Sequence, residues 1–208
     1  MNSKTWCIWY NLMCSARAIW RLLRPALLSI PPQNAEKKTH QLYRRCLNEK
    51  NYQYFTGGTD TSFRKMVVEK IEELVENANF VSFVSASAQL HPEFKIGKNS
   101  LVCSFVASAG PTIIGDHCII SHFCHFGHVK SILGDYCFIG PYTSIVDCNL
   151  AKGTWCGHNC RFLRANTKEW SQYYMNSKTL NKTFEVSGTY KNNKLLDPGT
   201  CLTHSLKD

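Results

Sequence analysis

The fold of this chain can be inferred from residues 132–143, which read ILGDYCFIGPYT. This stretch holds two copies of a six-residue pattern, in which an aliphatic residue is followed by glycine and, four places after the aliphatic residue, by a small side chain. Between residues 96 and 163 the pairs of aliphatic and small residues are Ile96 and Ser100, Ile114 and Cys118, Ile120 and Cys124, Leu133 and Cys137, Ile139 and Thr143, Leu150 and Thr154, and Cys156 and Cys160. A repeat this short predicts brief strands joined by tight turns.

The six-residue period predicts a left-handed parallel β-helix, a prism in which three repeats form one triangular coil. The aliphatic residues are expected to stack along the axis of the prism, and the small residues to point inward where nothing larger fits. The glycine is expected to let the backbone turn. An ordinary β-sandwich is the alternative, but sandwich strands do not keep a fixed six-residue phase.

The register of the repeat slips at two places, between Phe126 and Leu133 and again between Ile145 and Leu150. Loops are expected to leave the prism where the register slips. Because binding and catalytic residues are concentrated on loops that a rigid scaffold positions, these two places are candidates for a functional site.

The 11 cysteines of the chain would be typical of a secreted disulfide scaffold. The repeat instead assigns five of them to inward positions, namely Cys118, Cys124, Cys137, Cys156 and Cys160. A cysteine in such a position is expected to act as a compact apolar filler. Because the total is odd and no clean signal peptide is present, free thiols in a reducing cytoplasm are the favoured interpretation.

The distribution of charged residues limits which partners the chain is expected to have. Residues 6–30 are apolar but carry Arg17, Arg21 and Arg24, so no stretch reaches the roughly 20 uncharged residues of a membrane span. The net charge of +9 can attract an anionic ligand such as a phosphorylated cofactor. No basic run with interleaved aromatic residues is present, so nucleic acid is not an expected partner.

Three regions are expected along the chain. Strands are predicted at residues 6–10, 52–55 and 80–84, and helices at residues 16–23 and 62–76. This alternation predicts a small parallel α/β domain at residues 1–78, in front of a β-helix domain at residues 79–163. Residues 164–208 have few aliphatic side chains, so they are expected to form an irregular C-terminal extension with one strand near residues 183–186.

Two motifs resemble those of a known family. Residues 59–65, TDTSFRK, are similar to its Gly-Asp-Asn-x-x-Arg-Lys helix entry. Phe126-Gly127-His128, followed by ILGD at residues 132–135, is similar to its hydrophobic-x-His segment ahead of a hydrophobic-Gly-Asp coil. Over residues 50–163 the chain therefore resembles the bacterial hexapeptide-repeat sugar O- and N-acyltransferases, typified by sialic acid O-acetyltransferase and by the aminosugar N-acetyltransferase of bacillosamine synthesis.

This resemblance implies transfer of an acetyl group from acetyl-CoA to an amine or hydroxyl of a sugar, usually a nucleotide-linked one, by a homotrimer with sites between neighbouring prisms. His128 would be the general base, a role that suits an imidazole at neutral pH. Asp135 is the first candidate to orient it, and Asp147 the second. Gly140 and Gly157 are candidates to line the groove for the pantetheine arm, because a close-lying ligand needs a surface without side chains.

The chain departs from the family in three places. Val129 and Lys130 follow His128, where the family commonly has an acidic residue. Residues 11–16 contain no glycine, although the family has a glycine-rich turn there that cradles the nucleotide. Residues 187–191 are only faintly similar to the family's Gly-x-Pro-Ala-Lys ending. Binding of a nucleotide sugar by the N-terminal domain and one contact with CoA therefore stay open.

Two further functions compete with acetyl transfer. His117, His122, His125 and His128 lie within twelve residues, which suggests a zinc enzyme similar to the γ-type carbonic anhydrases. The third ligand of that class would fall near Val81, where no histidine stands, so no metal site is predicted and His117 and His122 are expected to be outward polar residues. The other alternative is a β-helix scaffold whose catalytic machinery has decayed.

Overall fold

The computed structural model describes residues 4–9, 27–29 and 52–199, and for residues 4–9, 27–29 and 52 it describes the backbone alone. The N-terminal part is a sheet of four parallel strands in the order β2-β1-β3-β4. Its elements are β1 (Lys4–Trp9), β2 (Leu27–Ser29), β3 (Tyr52–Thr56), helix α1 (Thr61–Leu74) and β4 (Asn79–Phe80). The helix predicted at residues 16–23 lies outside the described residues.

The strands that follow wind into a prism with three faces. The first face holds β5 (Phe83–Val84), β7 (Leu101–Val102), β10 (Ile119–Ile120), β13 (Phe138–Ile139), β16 (Trp155–Cys156), β18 (Gln172–Tyr173), β20 (Gly188–Lys191) and β21 (Lys194–Pro198). The second face holds β8 (Ala107–Ser108), β11 (His125–Phe126), β14 (Ser144–Val146) and the first halves of β17 (Arg161–Asn166) and β19 (Lys178–Thr183). The third face holds β6 (Lys95–Ile96), β9 (Thr112–Ile114), β12 (Ser131–Leu133), β15 (Asn149–Leu150) and the ends of β17 and β19.

The interior of the prism follows the repeat. The aliphatic residues Ile120, Leu133, Ile139 and Leu150 are at most 1% exposed, and they stack on their equivalents in neighbouring coils. The predicted left-handed parallel β-helix is confirmed. No helix among the described residues is long and apolar enough to cross a membrane.

The inward cysteines are buried fillers, as predicted. All five are at most 1% exposed and none forms a disulfide. Four of these thiols also donate hydrogen bonds to carbonyl oxygens of the next coil, for example from Cys118 to Gly134 at 3.2 Å and from Cys124 to Gly140 at 3.3 Å. Burial raises the pKa of Cys124 to about 12, so this thiol stays protonated and inert at neutral pH.

The glycine of the repeat has a different role from the one expected. The left-handed residues of one set of turns lie two places further on and include Asn99, His117 and Tyr136, with φ between 52° and 60°. The glycines are needed because the coils touch there: a Cβ on Gly134 would lie 2.7 Å from the backbone nitrogen of Lys152. The glycine therefore permits close stacking of coils rather than the turn itself.

Beyond residue 163 the structure differs from the irregular extension expected there. Strands β17, β18, β19 and β20 continue the coils as far as Lys191, and β21 pairs with β20 in antiparallel orientation. The interior is filled by the aromatic residues Phe162, Tyr173, Phe184 and Tyr190. Tyr173 pairs with Cys156 of the coil below, whose small side chain leaves room for the ring. Because aromatic residues fill the inward positions here, a search for the aliphatic repeat does not detect these coils.

The first face of the prism is covered by the α/β unit. Phe55 of β3 packs against the outward side chains of Leu101, Ile119 and Phe138, which form one column across three coils. This face is therefore apolar on both sides, as is usual for a parallel sheet covered on both faces.

A buried arginine fixes α1 against the prism. Asp60 caps the helix, because its Oδ1 accepts a hydrogen bond from the backbone N–H of Phe63 at 2.9 Å. Arg64 is 1% exposed and donates hydrogen bonds to the carbonyl oxygens of Gly58, His117, Tyr136 and Cys137. These contacts lock the TDTSFRK motif to the prism.

Candidate active site

One corner of the prism, between the second and third faces, is longer than its neighbours. Three residues, 109–111, join β8 to β9, whereas four residues, 127–130, join β11 to β12. In the next coil two residues, 147–148, join β14 to β15. The two predicted register slips are therefore confirmed as a longer and a shorter corner, and the longer corner contains His128.

The long corner rests directly on the coil below it. His128 is exposed, and a Cβ on Gly110 would lie 2.3 Å from its carbonyl oxygen. A Cβ on Gly127 would lie 2.7 Å from Cγ1 of Val146 in the coil above. The two glycines thus hold the backbone of His128 between two coils. Gly110 lies outside the aliphatic-glycine pattern, and its only sequence signal is its place beside Pro111 in the preceding corner.

Asp135, the first candidate partner of His128, lies at a different corner. Strand β12 separates the two residues, and Oδ1 of Asp135 accepts a hydrogen bond from the backbone N–H of Asp116 at 2.9 Å. Asp116 in turn accepts one from the backbone N–H of Lys98 at 2.8 Å. Among the described residues no ion pair joins Asp135 to His128. The carboxylate of Asp135 caps the turn of the preceding coil.

Asp147, the second candidate, lies at the same corner as His128 but one coil further on. Its carboxylate is partly exposed, and Oδ2 is 3.5 Å from Nε of Arg164. An exposed ion pair of this length contributes little to stability, so the carboxylate can exchange partners at small cost. Asp147 therefore shares its corner with His128, whereas Asp135 lies at a different corner.

Gly140 and Gly157 are buried between coils. A Cβ on Gly140 would lie 2.6 Å from the carbonyl carbon of Gly157, and a Cβ on Gly157 would lie 2.7 Å from the backbone nitrogen of Met175. Coil stacking therefore requires both glycines. Their presence no longer points to a ligand by itself.

His117 is not the outward, solvated residue expected from the sequence. It is 4% exposed, and its Nδ1 lies 2.8 Å from Nδ2 of Asn99. Its ring stacks on Tyr136 at 4.6 Å and meets Phe80 edge to face. Burial and the nearby charge of Lys98 lower the pKa of His117 to about 4.

The surroundings of His117 also bear on the zinc alternative. Its ring is occupied by contacts with Asn99 and Tyr136, whereas His125 and His128 are exposed on another side of the prism. Among residues 53–199 no three histidine, cysteine or acidic side chains are arranged to hold a metal ion.

A polar strip runs along the second face, next to the long corner. Its outward residues, paired from coil to coil, are Ala107, His125, Ser144, Arg161 and Lys178. Because adjacent strands lie about 4.8 Å apart, the strip carries positive charge roughly 10 to 14 Å from the coil of His128. The side chains of Ala107 and Ser144, on either side of His125, are small and uncharged, and those of Arg161 and Lys178 at the far end of the strip are basic.

A cleft of about 620 Å³ lies elsewhere, where the C-terminal end of α1 meets the prism. Its lining includes Glu72, Asn77, Asn79, Phe80 and Lys98. Lys98 belongs to the corner between the third and first faces, two coils below the long corner. The cleft is thus separate from the surroundings of His128.

The prism, the α/β unit before it and the exposed histidine at a long corner define a hexapeptide-repeat β-helix protein with a candidate catalytic corner. No protein-family model and no curated protein sequence matches this chain. Solved structures are similar in fold. A histidine-to-asparagine variant of perosamine N-acetyltransferase from Caulobacter crescentus, in complex with CoA and GDP-perosamine, has a TM-score of 0.71 and 15% identity, over 92% of this chain and 96% of that one.

Two other solved proteins share the architecture. The acetyltransferase domain of PglB from Neisseria gonorrhoeae, in complex with acetyl coenzyme A, has a TM-score of 0.57 and 11% identity, over 94% of this chain and 100% of that one. WeeI from Acinetobacter baumannii AYE has a TM-score of 0.52 and 12% identity, over 92% of this chain and 100% of that one. At these identities the similarity establishes the fold.

Proposed function

We propose that this protein is an acetyltransferase that moves an acetyl group from acetyl-CoA to an amine or hydroxyl of a sugar. The observation that carries the proposal is the long corner, which presents an exposed histidine on a prism whose neighbours in fold include complexes with CoA and GDP-perosamine. Those ligands belong to the neighbouring proteins. They support a sugar, free or nucleotide-linked, as the acceptor class here.

His128 acts as the general base in this proposal. Its imidazole takes a proton from the acceptor amine or hydroxyl as that group attacks the thioester carbonyl of acetyl-CoA. The carbon-sulfur bond then breaks, and the proton is returned to the leaving thiolate of CoA. Asp147 orients the imidazole from the next coil, because it is the carboxylate on the same corner. Asp135 orients the imidazole in this proposal only if it comes from a neighbouring copy of the chain.

Acetyl-CoA lies along the polar strip in this proposal. The thioester is at His128, and the phosphates of the donor lie toward Arg161 and Lys178 at the basic end. The strip supports this direction, since phosphates are attracted to exposed basic side chains and the surface between is small and uncharged. Gly140 and Gly157 contribute backbone near the strip rather than an open groove. The enzyme is proposed to be a cytoplasmic homotrimer.

The direct test is release of CoA thiol from acetyl-CoA by the purified protein, measured against a panel of aminosugars, neutral sugars and their nucleotide-linked forms. Acceptor-dependent thiol release supports the proposal. No release above the hydrolytic background with any acceptor would contradict it, and would favour the decayed scaffold.

The position of the donor is tested by the double variant Arg161→Ala with Lys178→Ala. We expect the KM for acetyl-CoA to rise on the order of tenfold with kcat unchanged, because two charge-assisted hydrogen bonds to phosphate are lost. Lys194→Ala, an exposed lysine of β21, is the matched control and should leave the KM unchanged. An unchanged KM in the double variant would place the phosphates elsewhere.

A further inference from the structure

The outward side chains of the third face form one column, which changes from apolar to polar directly after the coil of His128. Ile113 and Ile132 occupy the column up to that coil. Exposed polar residues, which we call the asparagine strip, occupy it in the three coils that follow: Asn149, Asn166 and Thr183. The reaction proposed above assigns no function to any of these side chains.

The asparagine strip starts beside the long corner. Ile132 lies in the coil of His128, and Asn149 pairs with it in the next coil. Because adjacent strands lie about 4.8 Å apart, the strip extends roughly 5 to 14 Å along the prism from that coil. The polar strip proposed for the donor runs from the same corner along the second face. A general base must lie where acceptor and donor meet, and His128 lies at the edge that the two strips share.

The amides of the strip have hydrogen-bonding capacity that the fold does not use. Nδ2 of Asn166 donates to Oγ1 of Thr183 at 3.2 Å, whereas the side chain of Asn149 has no hydrogen bond to another described residue. Each amide offers an acceptor oxygen and two N–H donors, which match hydroxyl groups that both donate and accept. The coils do not require polar side chains here, because Ile113 and Ile132 occupy the same column in the same register.

The charges around the strip favour a neutral ligand. The column carries no charged residue from Ile113 to Thr183. At the adjoining corner Asp147 and Arg164 lie 3.5 Å apart, so their charges largely cancel. Lys130 of the long corner is exposed, but one lysine does not balance the charge of a nucleoside diphosphate. An uncharged surface that donates and accepts hydrogen bonds is suited to a polyhydroxyl compound.

The repeat of the strip favours a ligand that itself repeats. Its side chains recur about every 4.8 Å, which is close to the advance of successive hexose units along an extended glycan. A single sugar at His128 reaches only the first of them, Asn149, whereas a chain of sugars reaches all three. Ile132, which is 37% exposed, offers an apolar surface beside His128 for the carbon-bound hydrogens of a pyranose ring.

We propose that the acceptor is a glycan chain without a nucleotide, bound along the asparagine strip with its reacting sugar on Ile132 beside His128. The proposal deepens the function proposed above and rests on it for the reaction, but binding of the glycan does not require acetyl transfer. The donor then lies on the second face and the acceptor on the third.

The test replaces both asparagines in the full-length chain, as Asn149→Ile with Asn166→Ile. Isoleucine already occupies this column, so the coils should fold, which far-UV circular dichroism verifies; Asn149→Ala with Asn166→Ala takes its place if the isoleucine pair misfolds. Fluorescently labelled protein is titrated onto an array of monosaccharides and oligosaccharides without acetyl-CoA. We expect the wild type to bind oligosaccharides more tightly than their monosaccharides, and the double variant to lose affinity on the order of tenfold.

Asn159→Gly with Asn176→Gly is the matched control. It removes two exposed amides at the corner between the first and second faces, where they hydrogen-bond to each other at 2.9 Å, and glycine suits their left-handed backbone. The control should keep the affinity of the wild type.

A wild type that binds no oligosaccharide, or a folded double variant with the affinity of the wild type, would overturn the proposal. Because binding is measured without acetyl-CoA, a protein that binds glycans through the strip but releases no thiol would contradict the proposed function alone. A protein that acetylates only nucleotide-linked sugars, with the same KM in the double variant, would contradict the glycan proposal alone.

Discussion

His117 and His128 lie at two different corners of the prism, and their surroundings give the same side chain opposite properties. At the closed corner, beneath α1, His117 is buried against Tyr136, and its lowered pKa keeps it neutral throughout the physiological range. At the open corner His128 is exposed in an inserted loop. The position of a histidine within the repeat therefore does not determine its chemistry; the elements packed over it do.

The largest effect is expected from a substitution that opens the closed corner and so lowers the stability of the fold. Arg64→Ala leaves the carbonyl oxygens of Gly58, His117 and Tyr136 without their side-chain donor, whereas that of Cys137 still accepts from the backbone N–H of Ile119. Because each unsatisfied buried acceptor costs about 1 kcal/mol or more, we expect the free energy of unfolding to fall by about 3 kcal/mol or more. Urea denaturation followed by circular dichroism measures the change.

The control for this prediction is Arg161→Ala, which removes an exposed arginine of β17 and should change the free energy of unfolding by less than about 0.5 kcal/mol. Equal stability of the Arg64 variant and the wild type would mean that α1 does not depend on this arginine for its position.

The next largest effect is expected from a substitution that displaces the open corner and so lowers kcat. Gly110→Ala introduces a Cβ within 2.3 Å of the carbonyl oxygen of His128, so the long corner must move. A shift of about 1 Å in a catalytic group reduces the rate on the order of 100-fold, and we expect a loss of kcat of that size. The neighbouring substitution Ala109→Ser, at an exposed position, should keep kcat within a few-fold. Full activity of Gly110→Ala would separate the corner from catalysis.

The smallest effect concerns the pH dependence of stability at the closed corner. The pKa of His117 is about 4 when folded and about 6.5 when unfolded, so below pH 6.5 the unfolded state binds the extra proton. Stability is therefore lost as the pH falls from 6.5 to about 4, by about 2 kcal/mol. We expect His117→Asn to show a shallower fall than the wild type when the free energy of unfolding is measured across this range.

Ala109→Ser, a substitution at an exposed position that involves no titratable group, serves as the comparison and should keep the slope of the wild type. Equal slopes in all three proteins would show that His117 titrates in the folded state much as it does in the unfolded chain.

The sequence predicts the prism and its two slips because the inward positions admit few residue types and recur every six residues. It does not predict the coils after residue 163, because Phe162, Tyr173 and Phe184 fill the interior there instead of aliphatic residues. The sequence does contain a pattern that indicates which face of the prism is covered. Its strands have two consecutive apolar residues, as in Leu101–Val102, whereas those of the second face alternate.

The candidate site was predicted in part. The exposed position of His128 at a slip follows from the register, because an inserted residue must bulge outward from a closed prism. Asp135 follows His128 by seven residues in the sequence, yet it lies at the next corner because strand β12 separates the two. The burial of His117 could not be predicted, because it depends on how Arg64 and α1 pack on the prism and not on the repeat.

The most direct test of the account is a steady-state comparison of His128→Ala and His158→Ala, two exposed histidines on the same prism, in the assay of acetyl-CoA thiol release with an active sugar acceptor. If His128 is the general base, its loss should lower kcat by about 100- to 10,000-fold, and the loss of His158 should change kcat by no more than a few-fold. A His128→Ala variant that keeps the kcat of the wild type would contradict the account.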